Sequence, residues 1–225
     1  MIDGILLVDK EVGITSYDVI RRIKKDYPKG IKIGHTGTLD PFASGLLILL
    51  IGRPATKLME RFHKLEKEYV VEAQFGFETD TQDITGEIIL RDGTKNKLTR
   101  RRIKSIVKDN FLGSISQLPP KYSAKKIKGK KAYDLARKNI DFELKPKDIH
   151  VSKFELLEYK YPNVKFKIVC STGTYIRTLI KDLGNELDTY ATATALRRTK
   201  IGNFSVDDID SSIISVDKVL NMLNE

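Results

Sequence analysis

The amino-acid sequence predicts an α+β fold, with a mixed, mainly antiparallel central sheet flanked by helices. Three observations point there. Short strand patterns and capped helix patterns are interspersed along the whole chain. Several of the strands follow one another with no helix between them, which suits antiparallel neighbours, whereas a parallel pair needs a long crossover. The chain has 225 residues, 40% hydrophobic and 31% charged, enough to build a buried core and too ordinary for a disordered or fibrous chain.

The elements follow in order. Gly4 to Val8 reads as a short buried strand, and Ser16 or Thr15 can cap a helix running to about Tyr27, where Pro28 and Gly30 stop it. Ile31 to Ile33 is a brief strand before a Gly-rich turn. Leu46 to Ile51 is a continuous apolar run that suits a central strand. Pro54 stands where a first helical residue should, opening a helix to about Lys64. Tyr69 to Phe77 alternates as a strand, Thr79 to Gly86 is a polar loop, and Glu87 to Leu90 is a strand.

Thr99 caps a basic helix to about Asn110, and the pair Pro119-Pro120 then breaks the chain. Lys121 to Lys131, KYSAKKIKGKK, is a basic surface arm before a short helix near Ala132 to Lys138. Ile149 to Tyr161 and Val164 to Cys170 form an antiparallel pair turned at Pro162-Asn163. A helix from about Thr174 to Leu187, a strand near Ala193 to Lys200 and a helix near Val216 to Leu223 close the chain.

The charge balance is less ordinary than the composition. Forty Lys plus Arg against 30 Asp plus Glu leave a formal +10, with a pI near 9.5, which nominates a polyanionic partner such as nucleic acid without establishing it. A solvated basic surface explains the same excess. The one cysteine, Cys170, follows Ile168 and Val169 and reads as a buried structural thiol; it excludes an intramolecular disulfide. Asp3 and Asp9 around the first apolar run do not make a secretion signal, and Leu46 to Ile51 is too short to span a membrane. A cytoplasmic protein is expected.

The densest chemical signal is Gly34-His35-Thr36-Gly37-Thr38-Leu39-Asp40-Pro41, one acid and one imidazole in a loop held by two glycines. Pro41 biases Asp40 to an extended backbone, from which the carboxylate can be presented to a ligand. Read alone, Asp40 could equally be a turn residue satisfying nearby N–H groups. His35 could be a polar side chain bonded within its loop, and without a cysteine or carboxylate partner nearby it is a poor metal ligand, so no metal site is expected.

The segment GHTGTLDPFASGLL resembles the signature of the TruB family of tRNA pseudouridine-55 synthases. KEYVVEAQFG followed by TDTQDITG resembles that family's tyrosine-bearing strand and acidic loop. QLPPKYSAKKIKGKKAYDLAR resembles its basic insertion, GTYIRTLIKDLG its arginine-bearing segment and ALRRTKIGNF its late strand. These blocks run in order from about Ile5 to Phe204. The resemblance implies the pseudouridine-synthase fold. It also implies a reaction in which the glycosidic bond of a flipped-out uridine in the transfer-RNA T-loop breaks, the base rotates, and C5 is joined to the ribose. That reaction needs no metal and no redox cofactor.

The resemblance also implies roles. Asp40 matches the catalytic nucleophile, Arg177 its basic partner, and Tyr69 the tyrosine that stacks on the uracil and helps remove the C5 proton. Tyr175 is carried over as a substrate contact, Leu196 as pocket wall, and His35 as a residue that holds the rearranged T-loop. Asp83 is a weaker match for holding the extruded base, with Asp80 a neighbour easily confused with it. The arm lysines and Arg100, Arg101 and Arg102 would contact phosphates. The chain is expected to act as a monomer with transfer RNA and no protein partner implied. Residues 1–225 would form a single catalytic domain, with a basic RNA-contacting insertion near residues 119–148.

Two departures stand out. Family members commonly have Lys-Pro near the N-terminus; here Val8-Asp9-Lys10-Glu11 keeps Lys10, still expected as a substrate-side residue, without the proline. About twenty residues follow Phe204, so the RNA-binding C-terminal domain common in bacterial members is expected to be missing or vestigial. The rival reading is a non-catalytic RNA-binding or tRNA-remodelling protein on the same fold. A glycosidase-like enzyme would usually need two cooperating acids.

Overall fold

The computed structural model describes residues 3–92, 98–123, 125–127, 129–138, 140–210 and 212–224. Ala124 and Lys128 of the expected basic arm lie outside them. In order, the elements are β1 (Gly4–Lys10), α1 (Ser16–Ile23), β2 (Ile33–His35), β3 (Ala43–Ile51), α2 (Gly52–Thr56), α3 (Met59–Lys64), β4 (Lys67–Phe75), β5 (Phe77–Thr79) and β6 (Ile88–Arg91). There follow α4 (Arg100–Asn110), β7 (Gly113–Gln117), β8 (Lys126–Ile127), β9 (Lys130–Lys131), α5 (Ala132–Ala136), β10 (Lys147–Lys160) and β11 (Asn163–Cys170). The last are α6 (Ile176–Glu186), β12 (Ala191–Ile201), β13 (Phe204–Ser205), β14 (Ile213–Ser215) and α7 (Val216–Met222). The chain divides into two compact units, residues 1–70 with 196–225, and residues 71–195; β4 and β12 each run from one unit into the other.

In the first unit β3 is the central strand, and eight of its nine residues, all but Ser44, are buried. It pairs antiparallel with β1 over Gly4↔Ile51 to Lys10↔Gly45, and with β2. It pairs parallel with β12 over Leu196↔Ala43 to Arg198↔Gly45. β14 adds to the outer side of β1, and β13 to β12. The alternate faces of β1 and β3 feed two cores. Ile5, Leu7, Leu46, Ile48 and Leu50 pack with Phe62 and Phe204, whereas Leu47 and Leu49 pack with Val19 and Ile20 of α1. This is why the apolar run is continuous: both faces of the strand are covered.

In the second unit β10 lies between β11 and β7, antiparallel to both, and β5 pairs antiparallel with β6. Phe154 stands edge-on to both Phe111 and Phe166, tying α4 to the sheet. Cys170 is buried, as its neighbours imply. Among the described residues no helix is long and apolar enough to cross a membrane.

Several boundaries differ from expectation, each for a local reason. Thr15 is the N-cap of α1, its side chain accepting from the Asp18 N–H while the Asp18 carboxylate accepts from the Thr15 N–H. That helix ends at Ile23 and tightens into a 3-10 turn, because Pro28 holds Tyr27 extended at φ −120°. The helix expected to open at Pro54 begins at Gly52 and breaks before Met59; Pro54 remains in the first turn, where its missing N–H costs nothing. The strand expected to Phe77 stops at Phe75, since Gly76 turns at φ +103°. Strands β7, β8, β9, β13 and β14 were not expected.

Candidate active site

In the first unit the Gly34–Pro41 loop is fastened at almost every step. Thr36 N–H donates to the Ile48 carbonyl at 3.1 Å, and Leu39 N–H donates to Ser16 Oγ at 2.9 Å. Ala43 N–H donates to the Asp40 carbonyl at 3.1 Å, and Gly13 N–H donates to the Pro41 carbonyl at 2.7 Å. A side chain that the sequence did not single out locks the loop from below. Arg198 is 1% exposed; its Nε donates to the Leu46 carbonyl at 2.7 Å and its Nη2 to the Gly37 carbonyl at 3.1 Å. The signal was present: Arg198 shares the inward parity of Leu196 on β12.

Gly45 explains how β3 and β12 come so close there. It pairs with Lys10 on one side and Arg198 on the other, so the three residues stand abreast across β1, β3 and β12. Gly45 sits at φ +104°, and a Cβ on it would meet the Arg198 carbonyl oxygen at 2.2 Å. Only glycine fits that place.

Lys10 is placed differently from expectation. It is fully buried, and its Nζ donates to the Glu11 and Ile14 carbonyls, both at 2.8 Å. Burial, with the Arg198 charge, lowers its pKa to about 8, and the Asp40 charge opposes that fall. Lys10 is thus an internal cation in the electrostatic field of Asp40. Asp40 itself is half-buried. Leu196, 6% exposed, lies opposite Ala43, three residues beyond Asp40. Tyr69 is half-buried on β4.

His35 is half-buried, and its Nδ1 accepts from Gly37 N–H at 3.3 Å. Burial first, then the charges of Arg198 and His63, push its imidazolium pKa down. A neutral imidazole spent on its own loop suits a structural or recognition role better than proton transfer.

In the second unit Arg177 is the second residue of α6 and is 3% exposed. Its Nη1 donates to the Thr81 carbonyl and lies 3.4 Å from Asp83 Oδ2, and its Nη2 donates to the Tyr122 carbonyl at 3.1 Å. Asp83, 5% exposed, also accepts from the Thr81 hydroxyl and from the N–H and hydroxyl of Thr85. Asp80 is exposed, accepting from Glu87 N–H at 2.9 Å and from the Tyr122 hydroxyl. The two acids are therefore distinguished: Asp83 holds the arginine. Tyr175 is the N-cap residue of α6, and its backbone is clamped by Gln117, whose Oε1 accepts from Tyr175 N–H at 2.8 Å and whose Nε2 donates to its carbonyl at 3.0 Å. Gln117, 2% exposed, was also missed, because its strand was.

Among the described residues no group of three or more His, Cys, Asp or Glu could hold a metal ion. The mixed, mainly antiparallel sheet flanked by helices is the fold of the pseudouridine synthases. The fold agrees with a chain of a Cbf5-Nop10-Gar1 complex at a TM-score of 0.68 and 28% identity, covering 97% of this chain and 54%, about half, of that one. The model of the TruB family pseudouridylate synthase (N terminal domain) matches residues 21–176, and the chain belongs to that family. A tRNA pseudouridine synthase B of Caldicellulosiruptor saccharolyticus is 44% identical over 223 residues, 99% of this chain and 76% of that relative. The enzyme of the same name from Endomicrobium trichonymphae is 45% identical, over 99% of this chain and 96% of its own length.

Proposed function

We propose that the protein isomerises uridine to pseudouridine at position 55, in the T-loop of transfer RNA. The observation that carries this reading is Asp40, in a family-signature loop whose backbone Arg198 holds at Gly37 and whose carboxylate charge acts on buried Lys10. A nucleophile needs a fixed direction of approach, and this loop supplies one.

The reaction conserves atoms. The bond from N1 to the ribose C1′ is exchanged for one from C5 to C1′, the proton on C5 leaves, and N1 gains one. A flipped uridine costs a few kcal/mol of stacking, which a Tyr69 ring face offsets in part. Asp40 attacks to form a transient bond to the nucleoside, which breaks again by the time C5 is joined to C1′ and frees the carboxylate; Tyr69 stacks and assists loss of the C5 proton, and Arg177 orients the reacting acid. Asp83 acts through Arg177 rather than on the base, since its carboxylate is already engaged. Tyr175 and Leu196 shape the pocket, and His35 serves the RNA fold.

Residues 1–225 are taken as one catalytic domain, with the insertion near 119–148 meeting phosphates, working as a monomer in the cytoplasm. Incubating the protein with an unmodified transfer-RNA transcript and mapping pseudouridine at single-nucleotide resolution tests the assignment. Product at the T-loop uridine is expected; product elsewhere, or none from bound RNA, contradicts it. The second outcome is what a non-catalytic tRNA-binding protein would give.

A further inference from the structure

The second unit holds a cavity of about 640 Å³ that the proposed reaction does not use, bounded by β5, α6 and the segment following Leu118. Its charge is opposite to that of the molecule. In a chain of net +10, four carboxylates line it, those of Glu78, Asp80, Asp141 and Asp182, against two lysines, Lys121 and Lys181.

Glu78 is the decisive residue. It is 7% exposed, and among the described residues no hydrogen bond or ion pair engages its carboxylate. Burial raises its pKa, and Lys181 acts on it only as a more distant charge. A buried acid without a partner carries a desolvation cost that a bound cation would relieve. Asp182 on α6 is raised chiefly by burial; the Lys181 charge opposes the rise, and the charges of Glu78 and Glu186 add to it.

The remaining wall selects the kind of cation. Leu118, Pro119, Pro120 and Phe142 present apolar surface beside the acids. The carboxylates do not converge: no three of them could hold a metal ion. Spread charge along an apolar wall fits several ammonium groups joined by methylenes, since a metal ion demands a compact oxygen shell.

We propose that this cavity binds an aliphatic polyamine, one ammonium group pairing with Glu78 and the methylene chain lying along Leu118, Pro119 and Phe142. Within the second unit the site adjoins Arg177. Tyr122 lines the cavity and its carbonyl receives Arg177, and Thr178 of the same wall donates its hydroxyl to Gln82 beside Thr81.

The test needs neither RNA nor activity, so it stands or falls apart from the proposed function. Spermidine is titrated by calorimetry into the RNA-free protein, its Glu78→Gln variant and its Asp182→Asn variant. Butylamine and magnesium chloride are run at matched ionic strength. Saturable one-to-one spermidine binding is expected, weakened at least tenfold by Glu78→Gln and severalfold by Asp182→Asn, with butylamine and magnesium far weaker. No saturable binding, equal binding by the wild type and both variants, or equal binding of magnesium or butylamine would overturn it. Both variants are neutral near-isosteres, and a thermal melt of each verifies that loss of binding is not loss of fold.

Discussion

At the scale of single residues, Lys10, expected on the substrate side, is fully buried. A lysine with a pKa of about 8 in the folded state and 10.5 unfolded binds protons less readily when folded. The unfolded chain then holds more protons between those values, so stability rises with pH across that window. Below pH 8 the penalty is fully present, on the order of 3 kcal/mol for a shift of that size. Urea unfolding of wild type and Lys10→Met from pH 7 to 10.5 should show the wild type gaining on the variant above pH 8. A constant difference would exclude a depressed Lys10. Because the Asp40 charge opposes the fall, Asp40→Asn should lower the Lys10 pKa further, readable by NMR titration of the lysine side chain. Arg198 and Gln117 stayed hidden for a related reason: Arg198 meets Leu46 from 152 residues away, and no local pattern reports such a partner.

At the scale of elements, features set by nearby residues were legible and features set by distant strands were not. The caps at Thr15 and Thr99, the apolar run of β3 and the β10–β11 hairpin are local, and each stands where its residues imply. β14 has three residues and β13 two, too few for an alternating pattern, and they exist because β1 and β12 offer them edges. The start of β3 was missed because Ser44 and Gly45 are not apolar, although Gly45 is the residue that admits the parallel β3–β12 pairing. Two substitutions separate these levels. Thr15→Ala should cost about 1 kcal/mol, the ordinary value of an N-cap. Gly45→Ala should cost several times more, on the order of 3 kcal/mol or above, because it combines a left-handed backbone with a clash against Arg198. Urea midpoints of the two variants decide it; similar losses would mean that the β3–β12 contact yields easily.

At the scale of the whole molecule, fold class and family were readable from ordered motifs, while the geometry of the site was not. Composition left Asp40 as one loop acid among 30 acidic residues. The structure adds that its loop is bonded at successive backbone groups, that Arg198 holds the Gly37 carbonyl of the same loop, and that buried Lys10 feels the Asp40 charge. The net charge of +10 belongs to the same scale, and it predicts that binding of transfer RNA weakens steeply with salt. A plot of log K against log salt concentration should have a slope of several units, and a nearly flat one would remove electrostatics as the main source of affinity.

The central claim is that Asp40 is the nucleophile of a uridine isomerisation. T-loop RNA carrying uridine tritiated at C5 releases that tritium to water when C5 is joined to the ribose. The account predicts release by the wild type and none above background from Asp40→Asn that still binds the RNA. Release by the variant at the wild-type rate, or none from wild type with RNA bound, would contradict it.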